Sequence, residues 1–236
     1  AGNRLLGQAS LINHEDMMRL LTLPLLLFPL VAQPLTAQEH ERQHGPAPKI
    51  ANGGVFPAGW TIRPDEDGKL AEVSLVSMAP GWHVTTATSG IMYRAQDLAS
   101  GKYEVSTKIH LFPGGGGHEE AFGLFIGGKD LAAPGQRYSY FLIRGDGTFK
   151  IKRRSGASVT DITKDWTPSA AIVKLSGKDA VANELAVIVG KDKVSFRVNG
   201  QEVYSAPATS VDTDGIVGLR VNHNLSVHVE RLVVTR

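Results

Sequence analysis

The chain has 236 residues, 42% of them hydrophobic and 20% charged, with 26 glycines and no cysteine. This suits one globular domain with an extension and excludes disulfide staples. The formal net charge of +2, from 25 Lys+Arg against 23 Asp+Glu, is too small to draw nucleic acid by overall charge, so any basic surface has to be local.

Residues 1–16, AGNRLLGQASLINHED, are expected to be an upstream translation artefact, because the segment after them reads as the start of an exported chain. From Met17, Arg19 leads into an apolar run, Leu20 to Val31, and small residues close the segment at Ala37. That is the layout of a secretory signal peptide over 17–37, cleaved after Ala37. The run is shorter than the roughly 20 residues of a membrane span and holds Pro24 and Pro29, so no membrane association is expected after cleavage. The mature protein is therefore expected to be secreted or periplasmic. Residues 38–57 are polar, proline-bearing and without period, a flexible tail or linker. His40 and His44 within it read as solvated side chains rather than metal ligands.

Residues 58–236 form the expected domain. In KYEVSTKIHLF, Tyr103, Val105, Thr107, Ile109 and Leu111 alternate with Lys102, Glu104, Ser106, Lys108 and His110, the period of a half-buried strand. RYSYFLIRGDGTFKIKRR supplies two strands around Gly145-Asp146-Gly147. In that hairpin Leu142 is predicted opposite Lys150 and Tyr140 opposite Lys152, with Phe141, Ile143, Phe149 and Ile151 on the other face. ELAVIVGKDKVSFRVNGQEVYS reads as a three-strand meander turning at Lys191-Asp192-Lys193 and at Asn199-Gly200, and GIVGLRVNHNLSVHVERLVVTR as two further strands joined near Asn222-His223-Asn224. No segment of the mature chain carries a capped helical period, so an all-β sandwich or barrel is predicted.

The succession HEEAFGLFIGG, YSYFLIRGDGTFKIKRR, ITKDW, NELAVIVGKDKVSFRVNGQEV and GIVGLRV resembles the concanavalin A-like lectin/glucanase superfamily. Within it, the chain looks most like bacterial secreted keto-disaccharide hydrolase and family-sixteen-like glucanase domains. The resemblance implies a two-sheet antiparallel jelly roll with a concave groove for an extended glycan. It does not imply catalysis, since one fold hosts many functions, and the Glu-x-Asp-x-x-Glu strand of the laminarinase-type enzymes is missing from this sequence.

The stretch FPGGGGHEEAFGLFIGG places His118, Glu119 and Glu120 after four glycines. Adjacent residues on a strand face opposite ways, so Glu119 and Glu120 do not make a same-face acid/base pair there. They and His118 are weak catalytic candidates for a glycoside or keto-sugar hydrolase. The hairpin face with Tyr138, Tyr140, Arg144, Lys150, Lys152 and Arg154, joined by His110, is the expected ligand-binding surface. Aromatic platforms beside cationic donors suit an oligo- or polysaccharide, especially one bearing carboxylates or sulfates. Neither cofactor nor defined metal site is predicted; a structural calcium is the one ion that Asp130 and Asp212-Thr213-Asp214 leave open. Trp60, Trp82 and Trp166 read as core or edge packing, with Trp166 a candidate for the groove border. A nucleic-acid partner is not expected. A third reading is a structural cell-envelope or filament protein that self-assembles, with the tail as a strand-exchange arm.

Overall fold

Period-two alternation runs through nearly every segment of the domain, and the computed structural model turns it into strands. It describes residues 54–65, 68–113 and 120–236. The expected artefact and signal peptide, most of the tail with His40 and His44, and the candidates His118 and Glu119 lie outside the described residues.

In chain order the strands are β1 (Trp60–Pro64), β2 (Val73–Met78), β3 (Gly81–Thr86), β4 (Gly90–Ala99), β5 (Tyr103–Leu111), β6 (Ala121–Lys129), β7 (Arg137–Arg144) and β8 (Thr148–Ser155). They continue as β9 (Ser158–Asp161), β10 (Thr167–Pro168), β11 (Val181–Val189), β12 (Lys193–Val198), β13 (Gln201–Pro207), β14 (Gly215–Val221), β15 (Leu225–Val229) and β16 (Val233–Thr235). Among the described residues the only helical pieces are single 3-10 turns at Leu70–Glu72 and Ala208–Ser210. The first sheet runs β1-β4-β14-β6-β7-β8-β10 with β9 also on β8, and the second runs β13-β12-β11-β5-β15-β3-β2 with β16 on β5.

Apolar residues at every second position build the core between the sheets. Phe122, Leu124, Phe141, Ile143, Phe149 and Ile151 of the first sheet meet Val105, Ile109, Leu185, Val187 and Phe196 of the second. Phe141 and Phe196 touch across the gap in an edge-to-face pair 5.4 Å between centroids, a geometry the ring quadrupole favours. Trp60, 6% exposed, and the partly buried Trp82 pack at 4.7 Å.

The β7–β8 hairpin has the predicted register, Leu142 opposite Lys150 and Tyr140 opposite Lys152. Thr148 closes its turn by donating from its backbone N–H and its hydroxyl to Asp146 Oδ1, at 2.9 and 2.7 Å. At Asn199-Gly200 both residues are left-handed, φ +49° and +79°, as a two-residue hairpin of this twist requires. Asn199 also donates from Nδ2 to Ala171 O at 2.8 Å and to Asn183 Oδ1 at 2.9 Å. The last two predicted strands do not pair with each other. Asn222–Asn224 instead carries the chain from β14 in the first sheet to β15 in the second.

The sheet edges are guarded. Pro64 ends β1, Pro168 ends β10 and Pro207 ends β13. At the β2 edge, the Ser77 N–H is taken by Val55 O at 2.8 Å.

Candidate functional site

The outward side chains of the first sheet fall into register rows. Arg63, Ile91, Arg220, Gly123, Leu142 and Lys150 form one; Thr61, Tyr93, Gly218, Phe125, Tyr140 and Lys152 form the next. A Cβ at Gly218 would stand 2.4 Å from the Phe125 ring, so glycine there is what lets that ring lie flat on the sheet. Ile91, Tyr93, Phe125, Tyr138, Tyr140 and Leu142 make a second apolar cluster with Leu131 of the β6–β7 loop. Arg63 ties that loop down, donating from Nη1 to Leu131 O and, at 2.9 Å, to Ala133 O.

Arg220 lies in the middle of this face and is only 5% exposed. Its guanidinium makes a bidentate pair with Asp65, Nη1 to Oδ1 at 2.7 Å and Nη2 to Oδ2 at 2.6 Å, and lies 5.6 Å from the Tyr140 ring centroid. The fork geometry matches a carboxylate and holds both partners in one orientation. Burial pushes the Asp65 carboxyl up, but the hydrogen bonds and charge of Arg220, with Arg154 and Arg63 behind it, hold it below the usual carboxylate range. Burial pushes the Tyr140 phenol up to about 12, with Arg220 acting against it, so Tyr140 stays neutral.

Beside this pair opens a cleft of about 460 Å³, lined by Asp65, Thr88, Ser89, Arg154, Ala157 and His223 among others. Glu120 reaches the cleft through His223, whose Nε2 is 2.9 Å from Glu120 Oε1. Further along the face, the Arg144 guanidinium stacks on Trp166, 3.6 Å from the ring centroid. Lys150 and Lys152 both reach Asp161 of β9, at 2.7 and 3.4 Å. Six cations (Arg63, Arg144, Lys150, Lys152, Arg154, Arg220) against three carboxylates (Asp65, Glu120, Asp161) leave this face with a charge of +3, in a chain whose total is +2.

The structure brings Tyr138, Tyr140, Arg144, Lys150 and Lys152 onto one face, but two expectations need correction. Tyr138 and Tyr140 are 0% and 5% exposed. Leu131 and the neighbouring rings cover them, so they are not open stacking platforms and instead pack around Arg220. His110 is not on this face at all. It projects from β5 in the other sheet, because its neighbours Ile109 and Leu111 point into the core. The calcium candidates are also occupied otherwise. Both Asp212 oxygens accept from Arg153, at 2.7 and 2.9 Å, and Asp214 Oδ1 accepts from the Gly101 N–H at 3.0 Å. The sequence reasoning missed Asp65 and Arg220. A lone arginine between Leu219 and Val221 was the available signal, since a charge inside an apolar strand demands a partner. That partner lies 155 positions away in sequence.

On the outer face of the second sheet, His83 of β3, His228 of β15 and His110 of β5 stand directly opposite one another across three adjacent strands. Ring centroids are 6.3 Å apart for His83 and His228 and 5.8 Å for His228 and His110. His110 Nε2 pairs with Glu230 Oε1 at 2.8 Å, and Lys108 Nζ lies 3.0 Å from the same oxygen. Ser226 Oγ is 3.1 Å from His83 Nε2.

No protein-family model matches the sequence, and no curated protein matches it. Among solved structures, the carbohydrate-binding module CBM66 from Bacillus subtilis superposes with a TM-score of 0.57 at 14% identity, over 77% of this chain and 100% of that one. The fold is that of the concanavalin A-like lectins and glucanases. Two further solved structures superpose similarly. A Bacillus subtilis protein of unknown function with a galectin-like fold gives a TM-score of 0.52 at 12% identity, over 75% of this chain and 88% of that one. A Bacteroides ovatus GH16 protein of a mixed-linkage glucan PUL, in complex with a G4G4G3G product, gives 0.51 at 9% identity, over 76% and 96%.

Proposed function

We propose that the protein binds carbohydrate on the outer face of the first sheet, and that its ligand is an extended acidic glycan met outside the cytoplasm after export through residues 17–37. The observation that carries this is the concentration of six cations on one face of a jelly roll that a carbohydrate-binding module shares. Arg144, stacked on Trp166, has little freedom left to lose when its N–H edge meets a carboxylate or sulfate. Lys150 and Lys152, both held near Asp161, add point charges along the same path. The Arg220–Asp65 pair is already satisfied, so it shapes the floor while Arg154, Thr88 and Ser89 offer donors in the cleft.

Affinity electrophoresis of the protein through gels loaded with a uronate polymer, or with a neutral β-glucan, tests this reading. Retardation by the uronate polymer is expected, and it should disappear in the triple variant Arg144→Ala, Lys150→Ala, Lys152→Ala while thermal stability stays close to the parent. No retardation in either gel, or full retardation of the triple variant, would remove this face from consideration.

A second reading, hydrolysis of the glycan, is favoured by one arrangement: His223 lines the cleft with Glu120 on one of its nitrogens, and Asp65 is part of the same lining. A carboxylate-oriented imidazole is a general-base arrangement. Reducing sugar released in the same lanes, and lost in His223→Ala, would put this reading first; retention without release leaves it behind.

A further inference from the structure

We propose that the outer face of the second sheet carries a two-histidine chelating site for a divalent transition ion of the Zn²⁺, Ni²⁺ and Cu²⁺ class, formed by His228 and His110 with Glu230 as the orienting carboxylate.

Three observations lead to it. The first is register. His83, His228 and His110 occupy one row across three hydrogen-bonded strands, where opposed side chains leave the backbone with Cβ atoms about 4.5–5.5 Å apart. Imidazole nitrogens bind zinc at about 2.0–2.1 Å, which sets two rings sharing one tetrahedral ion about 5 Å apart between centroids. The His228 and His110 centroids are 5.8 Å apart, a little beyond that spacing. His83, at 6.3 Å from His228, is the farther neighbour.

The second is the carboxylate behind His110. A ligating histidine characteristically gives its other ring N–H to a carboxylate, which fixes its tautomer and orientation. Glu230 holds His110 by Nε2 at 2.8 Å, leaving Nδ1 to serve the ion. Lys108 sits on the same carboxylate oxygen, which keeps Glu230 an acceptor for His110 rather than a direct ligand.

The third is unmet polarity. His228 is 9% exposed, and its Nδ1 and that of His83 are buried without a hydrogen-bond partner among the described residues. Ser226 meets His83 only at Nε2. The two ends of the row bring no further base: Val76 lies opposite His83 and Ala182 opposite His110. Imidazole donors without thiolate suit zinc, copper and nickel over calcium or magnesium. As the rings stand, no three ligating groups converge on one point among the described residues. The site is therefore an open clip with positions left for water or an outside ligand, not a closed structural cage.

The test is a Co²⁺ titration of the full chain after chelator treatment, reading visible ligand-field bands, followed by displacement with Zn²⁺. One equivalent of bound Co²⁺, displaced by Zn²⁺, is expected. His228→Gln should weaken binding by at least about 10–100-fold, the range seen when even an outer partner of a metal ligand is lost. His110→Gln should do the same, and Glu230→Gln should fall between it and the parent. The double variant His40→Gln, His44→Gln should bind as the parent does. Absence of Co²⁺ bands in the parent overturns the proposal. So does unchanged binding in His228→Gln, or loss of binding in the tail variant. Metal-free thermal melts check that each variant folds; if His228→Gln does not, the more exposed His110→Gln decides in its place.

Discussion

The two outer faces of this sandwich handle polar groups in opposite ways. On the first sheet a buried arginine is matched by a bidentate carboxylate, an apolar cluster grows around the pair, and a loop is tied down over it. On the second, three imidazoles stand in a row with two ring nitrogens unmatched among the described residues. The inward faces are chemically alike, both being close-packed aliphatic and aromatic layers. The inner period of the strands specifies the sandwich, and the outer residues are free to differ.

The largest expected effect comes from breaking the matched face at its centre. Arg220→Met takes the bidentate partner from the partly exposed Asp65 carboxylate and leaves only Arg154 and Arg63 near it, a loss of about 1.5–3 kcal/mol for hydrogen bonds to a charged group; urea unfolding should show it as a shift of midpoint at unchanged slope. Acid should act on the same pair. The folded-state pKa of Asp65 is depressed, so its contribution is complete above the unfolded carboxylate value of about 3.9 and is lost as pH falls through the lower folded value. The parent should therefore lose stability below that range, and Asp65→Asn should lose less over the same interval when both are titrated by denaturant.

At the rim the effects turn from stability to binding. Arg144→Ala should lower unfolding free energy by only about 0.5–1 kcal/mol, the worth of a cation over an aromatic face at a partly exposed site, yet remove most of the retardation in a uronate gel. The smallest effect belongs to the unmatched face. His228→Leu, without metal, should shift stability by less than about 1 kcal/mol in either direction, because it deletes an unpaired buried nitrogen rather than a satisfied one. A loss there as large as that of Arg220→Met would show that the imidazole row is structural after all.

Much of the sandwich was legible because its signals are local. The β7–β8 register followed from a Gly-Asp-Gly turn and alternation alone, and the Asn199-Gly200 turn from its two residues. The site was legible only where it shared that hairpin. Tyr138 and Tyr140 sit on the predicted face, but their covering comes from Leu131, whose loop is held by Arg63 of β1, a strand separated from β6 by β4 and β14. Alternation tells which side of its own strand His110 takes, not which sheet that strand joins, and β5 lies in the second. The Arg220–Asp65 pair and the histidine row arise from long-range strand order, which no single window of sequence encodes.

The guarded edges have a consequence for a protein of this proposed role. A polymer ligand gathers many copies of its binder along one chain, raising local protein concentration far above that in solution. Open strand edges under such crowding are templates for irreversible fusion. Here β1, β10 and β13 each present a proline, which offers no N–H to a newcomer, and β2 already spends a Ser77 N–H within its own chain. On a polymer crowded with copies of this domain, those margins would favour contacts that come apart again over strand-to-strand fusion.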